Sequence, residues 1–183
     1  MNEISDIDCI VRVLGGEADS FGPIVERYSA RVYALVARIV GPTAEAEDIT
    51  QEVFVTAWRK LDGFGRRSQF STWLYRIAYN TAISALRRRR LPESDVNDNR
   101  LAAVEDTGSD TALDEADLAM LERALERLAP RERAVVELFY RQELSVAEVA
   151  TITGMSESNV RVMLHRSRHR LAEMITEERK YDK

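Results

Sequence analysis

Apolar residues recur along most of the chain at the three-to-four-residue spacing of amphipathic helices, and no stretch shows the strict alternation of a half-buried strand. Stop signals stand at Gly15-Gly16 and at Gly41-Pro42. Pro23 is placed to split off a short piece at the start of the second helix. The pattern predicts helices over residues 4–14, 17–40 and 43–61, the last capped by Thr43, and from about Ser71 to Arg90.

Residues 91–113 interrupt this pattern, because the segment is acidic and poor in large apolar side chains, as expected of a flexible linker. Helical spacing then resumes, with Pro130 placed to open a helix that reaches about Arg141. Ser145 and Glu148 form a capping box for the next helix, and Ser156 is placed to cap a final long one. The expected fold class is all-α, with two small helical domains, residues 1–90 and 114–183, joined by a flexible acidic linker at 91–113.

The composition limits the chemistry open to the chain. Cys9 is the only cysteine among 183 residues and there are two histidines, so we expect no disulfide, no structural metal site and no cofactor. No apolar run is long enough to cross a bilayer, and the first ten residues lack the basic-then-apolar order of a signal peptide. We expect a cytoplasmic protein without membrane insertion.

The formal net charge of -5 superficially disfavours nucleic acid as a partner. Local charge matters more for binding a polyanion than the total does. Residues 1–90 carry a net charge of +2, the linker -5 and residues 114–183 -2. The excess negative charge therefore lies mainly in the linker, whereas Arg87 to Arg90 and the stretch 161–170 are locally basic.

The helix from Phe70 to Arg90 has two dissimilar sides. One side has the spacing of a buried stripe and carries Leu74, Ile77, Ala78, Thr81, Ala82 and Ala85. The other side mixes aromatic, aliphatic and basic residues, namely Arg76, Tyr79, Asn80, Ile83, Arg87 and Arg90. Exposed rings beside cations suit opened or single-stranded nucleic acid, since rings stack on bases and cations hold phosphates. The alternative is a core helix whose aromatic residues also pack inside, followed by a solvated arginine run, and this helix alone does not decide between the two.

Residues 144–171 meet the steric requirements of a DNA-binding helix-turn-helix. Ala150 is small where two helices cross, and Gly154 supplies the turn, where glycine reaches a positive φ at low cost. The inward side of the second helix is expected to carry Val160, Met163, Leu164 and Leu171. The outward side suits base edges and phosphates and carries Ser158, Arg161, Val162, His165 and His169, flanked by Asn159 and Arg166. A helical hairpin with an exposed arginine-rich face is the alternative, but the cap, spacing and glycine together favour DNA.

Four segments, in their order along the chain, resemble the extracytoplasmic-function (ECF) sigma factors, small promoter-specificity subunits of bacterial RNA polymerase. The segments are AEAEDITQEVFVTAWRKLDGF, FSTWLYRIAYNTAISALRRRR, LAPRERAVVELFY and the helix-turn-helix, and the resemblance covers about residues 19–170. It implies that residues 1–90 form a region 2 domain, which docks on the polymerase clamp and recognises and melts the minus-ten element. Residues 114–183 would form a region 4 domain for the minus-thirty-five element.

The resemblance also implies roles for the third helix and for the loop that follows it. The buried side of that helix is expected to carry Ala46, Ile49, Val53, Phe54, Ala57, Trp58 and Leu61. Its polar side would contact the clamp coiled coil of the largest polymerase subunit through Asp48, Gln51 and Glu52. The loop 62–69 would capture a base flipped from the non-template strand, although Phe64 could equally pack in the core.

Two sets of DNA contacts are expected. The minus-ten set, with the run Arg87 to Arg90 on backbone phosphates, is Phe64, Arg66, Arg67, Trp73, Arg76, Tyr79, Asn80, Arg87, Arg88 and Arg90. For the minus-thirty-five element the resemblance implicates Arg161, Val162, His165 and Arg166, to which the outward side of the helix adds Ser158, Asn159 and His169.

The implied partners are core RNA polymerase, through its clamp coiled coil and beta-flap, and promoter DNA, both as duplex and as non-template single strand. An anti-sigma factor is also expected, and the free protein is expected to be a monomer. We expect no enzymatic activity, because no nucleophile, base and orienting group converge and no phosphate-binding glycine-rich motif is present. The alternative function is a stand-alone transcription regulator that binds duplex DNA without polymerase, as a dimer on a twofold operator.

Overall fold

The computed structural model describes residues 4–89 and 115–181. The chain divides into two compact units, one that contains residues 4–89 and one that contains most of the residues from 115 onward. Every regular element within the described residues is a helix, which confirms the all-α prediction. Arg90, the predicted linker 91–113 and Asp114 lie outside the described residues.

The N-terminal unit is a helical bundle whose last three long helices pack against one another. Ser5 caps the first helix by accepting a hydrogen bond from the Asp8 amide at 3.2 Å. The apolar core is fully buried at positions such as Ile24, Val32 and Leu74. The helices are α1 (Asp6–Leu14), α2 (Gly22–Val40), α3 (Ala44–Arg59) and α4 (Phe70–Arg89), with 3-10 turns at Ala18–Phe21 and Leu61–Gly63.

Local signals place most of these boundaries, with one correction. Pro23 lies in the first turn of α2 after the short 3-10 turn, as predicted. Gly41 ends α2 with a φ of +96°, a conformation that glycine adopts more readily than other residues. Thr43 has the extended backbone of a capping residue, but its side chain caps nothing, so the predicted side-chain cap is wrong. The Ala46 amide instead donates a 2.8 Å hydrogen bond to the backbone carbonyl of Thr43.

The buried side of α4 is wider than predicted and is rotated toward its aromatic residues. Tyr75 and Tyr79 are buried, with Tyr79 only 5% exposed, and Ile83 is buried beside them. The reason is that α4 packs against both α2 and α3, so more than one stripe of its surface is covered. The prediction that Tyr79 and Ile83 lie on an exposed face is therefore wrong, and for the tyrosines the core-helix alternative is correct.

The C-terminal unit contains the predicted helix-turn-helix. Its elements are α5 (Glu115–Glu126), α6 (Pro130–Val136), a π-helical turn (Glu137–Arg141), α7 (Val146–Thr153) and α8 (Glu157–Tyr181). The capping box forms at the start of α7, where Glu148 and Ser145 exchange hydrogen bonds of 2.9 and 3.3 Å with each other's backbone amides. Gly154 makes the turn in the left-handed conformation, with φ +73°. The Asn159 amide donates to Ser156 Oγ at 3.3 Å, the cap predicted for α8.

The long helix α8 packs against α5 beyond the helix-turn-helix. Leu171 of α8 joins Ala124, Leu125 and Leu128 in a buried cluster. Ion pairs flank this cluster and link Arg123 to Glu178, Arg179 to Asp117 and Arg170 to Glu132. The first half of α8 belongs to the helix-turn-helix, and the second half holds the unit together. Among the described residues, no helix has the length and apolar content needed to cross a membrane.

Candidate nucleic-acid interface

The loop 62–69 is anchored by an aromatic cluster at the start of α4. The Phe64 ring centroid lies 5.5 Å from that of Phe70 and 5.3 Å from that of Trp73. Phe64 is only 8% exposed. Of the two placements considered for it, the structure has the one in the core, so Phe64 holds the loop and does not offer a free ring to a base. The half-buried Trp73 keeps part of its ring at the surface.

The cluster continues into the core through Tyr28, whose ring lies 5.9 Å from Phe70 and 6.3 Å from Tyr75. The Tyr28 hydroxyl donates a 2.6 Å hydrogen bond to Asp6. Burial, followed by this hydrogen bond and the negative charge of Asp6, raises the pKa of Tyr28 well above its ordinary value. Tyr28 therefore stays protonated, and its ring supports the cluster from below.

The basic residues of the loop project into solvent. Arg66 and Arg67 are both exposed, and Arg66 has a φ of +53°. The Asp62 carboxylate accepts a 2.9 Å hydrogen bond from the Gly63 amide at the start of the loop. The loop thus presents two exposed cations and its Phe64 ring lies against Trp73, an arrangement that suits a backbone phosphate and an adjacent unpaired base.

The exposed face of α4 is polar and basic over about three turns. Arg76, Asn80, Ser84 and Arg87 are exposed and follow one another at helical spacing, and Arg88 is exposed beside them. Trp73 falls on the same side at its N-terminal end. The structure thus brings together the predicted Trp73, Arg76, Asn80, Arg87 and Arg88, but it leaves Tyr79 inside the bundle and does not describe Arg90.

Arg89 departs from the prediction that the whole arginine run holds phosphates. Its guanidinium donates to the backbone carbonyl of Val40 at 3.1 Å and pairs with Glu45 at 2.9 Å. The positive charge lies at the C-terminal end of α2, where the helix dipole favours a cation. Arg89 therefore ties α4 to the α2–α3 connection. Because its guanidinium is already held by Val40 and Glu45, it is less available to a DNA phosphate than its neighbours are.

The polar side of α3 carries the residues predicted to contact polymerase. Asp48, Gln51 and Glu52 are all exposed. The same surface continues through two apolar side chains that sequence reasoning missed, Val55 at 47% exposure and Trp58 at 39%. Trp58 was expected on the buried side, but its ring instead contacts the edge of Phe21, with centroids 5.1 Å apart. Val55 follows Asp48 by seven residues, and this spacing is the signal that could have placed it on the polar side.

The outward side of α8 carries the residues predicted to read duplex DNA. Ser158, Arg161 and His169 are exposed, and the half-buried residues are Asn159, Val162, His165 and Arg166. Val160, Leu164 and Leu171 are buried as predicted, whereas Met163 is only partly covered. The Arg161 guanidinium pairs with Glu157 one turn earlier at 2.8 Å, which holds an exposed cation near the N-terminus of the helix. This geometry suits insertion of the first turns of α8 into a major groove.

Two sigma-70 families match the chain, one in each unit. The sigma-70 region 2 family matches residues 24–91, which include α3, the loop and α4. The sigma-70 region 4 family matches residues 118–171, which include the helix-turn-helix.

Relatives of known function match over most of their length. The chain is 32% identical to the ECF RNA polymerase sigma factor SigW of Bacillus subtilis over 176 residues, which cover 91% of this chain and 94% of the relative. It is 34% identical to the ECF RNA polymerase sigma-E factor of Escherichia coli over 176 residues, which cover 91% of this chain and 92% of the relative.

Solved structures share the fold. The sigma factor RpoE from Bartonella quintana, in complex with the anti-sigma factor NepR, matches with a TM-score of 0.67 at 22% identity, over 86% of this chain and 98% of that chain. CnrH, in complex with the cytosolic domain of CnrY, matches with a TM-score of 0.66 at 22% identity, over 92% of this chain and 95% of that chain. The chain therefore belongs to the ECF RNA polymerase sigma factors, alternative sigma factors that direct transcription initiation from specific promoters.

Proposed function

We propose that the two units divide promoter recognition between them, as regions 2 and 4 of one sigma factor. The observation that carries this proposal is the exposed face of α4, where Trp73, Arg76 and Asn80 adjoin the arginines of the loop and of the helix end. On this proposal the face holds the non-template strand of the minus-ten element. Residues 1–90 would act as the melting domain and residues 114–183 as the upstream reader, joined by the linker 91–113.

Melting by this face needs no enzymatic step. Unpairing and unstacking one base costs a few kcal/mol, which contacts to the flipped base can offset. The half-buried Trp73 can stack on a base, Asn80 can donate to and accept from a base edge, and Arg76 and Arg87 can hold the backbone. The function is therefore binding, and the energy for opening comes from trapping the unpaired strand.

The polymerase contacts are proposed for α3 in the N-terminal unit. Asp48, Gln51 and Glu52 offer two carboxylates and an amide at the surface, and Val55 and Trp58 add exposed apolar area beside them. A mixed surface of this kind suits docking on another protein better than contact with DNA. We assign it to the clamp coiled coil of the largest subunit, and we assign the beta-flap contact to the C-terminal unit.

We also propose that an anti-sigma factor holds the protein inactive. One structure of similar fold is a sigma factor bound to the anti-sigma factor NepR, and another is CnrH bound to the cytosolic domain of CnrY. A protein that covers α3 would block polymerase docking directly. The free protein would be a monomer, and its work on the chromosome would place it in the cytoplasm.

The test is run-off transcription with core RNA polymerase on promoter fragments from the source genome, with and without the protein. Transcripts with defined start sites that appear only with the protein support the proposal, and alignment of their upstream regions gives both promoter elements. If the protein alone binds duplex DNA specifically and core polymerase gains no start sites from it, the stand-alone regulator replaces the proposal.

A second arm of the experiment tests the division of labour. Holoenzyme is formed with wild type or with Arg161→Ala, whose arginine lies on the outward side of α8. If Arg161 reads a base, the variant should lose about 1–3 kcal/mol of binding and relax the preference at one upstream position. A uniform loss on all sequences would make Arg161 a phosphate contact instead.

A further inference from the structure

The two histidines of the chain form a pair on α8. His165 and His169 are one helical turn apart, and their ring centroids lie 4.5 Å apart with an angle of 28° between the planes. They are the only histidines among the 183 residues. Two histidines at positions i and i+4 on one helix face have the spacing with which helices hold a transition-metal ion between two imidazole nitrogens.

The His165 ring has a nitrogen without a hydrogen-bond partner. Its Nε2 atom is shielded from solvent and is bonded to no other group in the described part of the chain. Because Nε2 is closed to a hydrated ion, Nδ1 is the nitrogen of this ring that can take part in a surface site. His169 is exposed, so its ring can turn toward an ion shared with His165.

Arginines near the pair oppose a cation, but carboxylates balance part of their charge. Arg161 pairs with Glu157 at 2.8 Å, and Arg170 pairs with Glu132 at 2.9 Å. Glu157 belongs to α8 itself, and Glu132 belongs to α6, which packs against α8. These two carboxylates reduce the positive charge around the histidines.

We propose that His165 and His169 form a two-imidazole site for a divalent transition-metal ion of the Cu²⁺, Ni²⁺ and Zn²⁺ class, with water completing the coordination. Imidazole nitrogen suits these ions, and Cu²⁺ is expected to bind most tightly. The described residues contain no group of three or more histidine, cysteine or acidic side chains that could hold a metal ion. A site with two protein ligands binds reversibly and leaves the fold independent of metal.

The site has a consequence for DNA binding that rests on the proposed function, whereas metal binding itself does not. Both histidines lie on the side of α8 that we assign to the minus-thirty-five element. An ion held between them would occupy that surface with its water ligands and would fix both rings. Metal binding and promoter binding should therefore compete.

Metal binding is tested on the full-length chain without a histidine tag, by calorimetric titration with Cu²⁺ and with Ni²⁺ in a buffer that does not coordinate metal. We expect one ion per chain, and at least tenfold weaker binding for His165→Ala and for His169→Ala, because each removes half of the chelate. His169→Ala combined with Thr176→His is the matched control. It keeps two histidines but separates them by eleven residues, about 16 Å along the helix, so it should bind as weakly as His169→Ala.

Equal affinity of wild type and the control variant would overturn the proposal, because two histidines at any spacing would then suffice. Thermal unfolding of each variant without metal checks the fold, and His169 is exposed, so its replacement should not change the unfolding temperature.

Competition is tested with holoenzyme on a promoter identified by run-off transcription. Ni²⁺ should weaken promoter binding by wild-type holoenzyme and should not change whatever affinity the His169→Ala holoenzyme has without metal. If Ni²⁺ binds the chain but affects both holoenzymes equally, the competition is refuted while the metal site stands. If no promoter is found, the proposed function fails, and the titrations of the free chain still decide the metal site.

Discussion

At the scale of single residues, a partly buried hydrogen bond fastens the first helix to the second. The Tyr28 hydroxyl donates to one oxygen of Asp6 at 2.6 Å, and Arg27 pairs with the other oxygen. Arg27 also donates to the backbone carbonyl of Ile4 at 2.7 Å. The Asp6 carboxylate thus gathers two donors from α2 at the start of α1, which holds α1 in place.

We expect Tyr28→Phe to lower the free energy of unfolding by about 1–2 kcal/mol at pH 8, since the ring contacts remain and one hydrogen bond to a charged group is lost. This loss should shrink above pH 10. The unfolded chain ionises Tyr28 near pH 10, whereas the folded chain keeps its proton to higher pH, so the wild type loses stability there by roughly 1 kcal/mol per pH unit. Urea unfolding of both proteins at pH 8, 10 and 11 measures the difference, and a difference that is constant with pH would contradict the expectation.

Another residue, Glu143, has a backbone conformation that favours glycine. Glu143, between the π-helical turn and α7, has a φ of +54° and is exposed. The left-handed region costs a residue with a Cβ about 1–2 kcal/mol. A glycine replacement removes this cost, but part of the gain in stability is offset because glycine loses more conformational entropy on folding.

Glu143→Gly should therefore raise the free energy of unfolding of the C-terminal unit by roughly 0.5–1 kcal/mol. Glu143→Ala is the control, because it removes the carboxylate but keeps the strained backbone. Denaturant unfolding followed by circular dichroism compares the three proteins. An equal gain in both variants would show that the carboxylate, and not the backbone, is the source of the effect.

At the scale of elements, α4 shows why its exposed face could not be read completely from the sequence. The exposed positions of Arg76, Asn80 and Arg87 follow from polarity and helical spacing alone. The positions of Tyr79 and Ile83 depend on how much of the helix its two neighbours cover, which no local pattern contains. An amphipathic pattern predicts one covered stripe, whereas packing against both α2 and α3 covers more than one.

By contrast, features that depend only on residues close in sequence could be predicted. The capping box of Ser145 and Glu148 and the turn at Gly154 depend on residues within one or two turns, and both form as predicted. Trp58 and Phe64 were less predictable, because a ring can pack against a distant partner such as Phe21 or Phe70. The helices and most polar residues of the candidate site were accessible from sequence, whereas of its predicted aromatic residues only Trp73 lies where the sequence placed it.

The revised face of α4 changes the expected effect of substitutions. Arg76→Ala and Asn80→Ala should lower open-complex formation about tenfold, a loss of about 1.4 kcal/mol, while leaving circular dichroism and upstream DNA binding unchanged. Ser84→Ala, on the same exposed face, is the control and should have no comparable effect. Permanganate reactivity of the melted thymines measures opening; equal losses in all three variants would count against a specific role in melting.

Tyr79 requires a different interpretation. Because the ring is buried, Tyr79→Ala should create a cavity and lower the free energy of unfolding by about 3–5 kcal/mol. A loss of transcription in that variant would therefore report on folding first. The unfolding free energy of the purified variant is the deciding measurement, and wild-type stability would show that the ring contributes little to the core.

At the scale of the whole molecule, each unit combines a buried core with its own polar surface, and the surface that we propose for polymerase docking belongs to the first. The clamp contact proposed for α3 requires no DNA-binding residue of α4 or α8. The two kinds of binding can therefore be separated by substitution.

Replacing both Asp48 and Glu52 with Lys should abolish holoenzyme formation, since two negative charges at the proposed interface become positive and both positions are exposed. Replacing both Glu173 and Glu177 with Lys is the charge-matched control. Both residues are exposed on α8, and this variant should still bind core polymerase. Gel filtration with core polymerase measures binding and circular dichroism checks the fold. Normal holoenzyme with the α3 variant would refute the assignment of that surface.

The single helix α8 has a further consequence, which concerns how such a protein diverges. Its inward positions Val160, Leu164 and Leu171 hold the unit together, and its exposed outward positions, among them Arg161 and His169, contribute little to that packing. Mutation can therefore vary the exposed outward positions with little effect on the stability of the fold. Gene duplication followed by such drift would yield paralogues with separate regulons, and the inward set would change far more slowly than the promoters these proteins read.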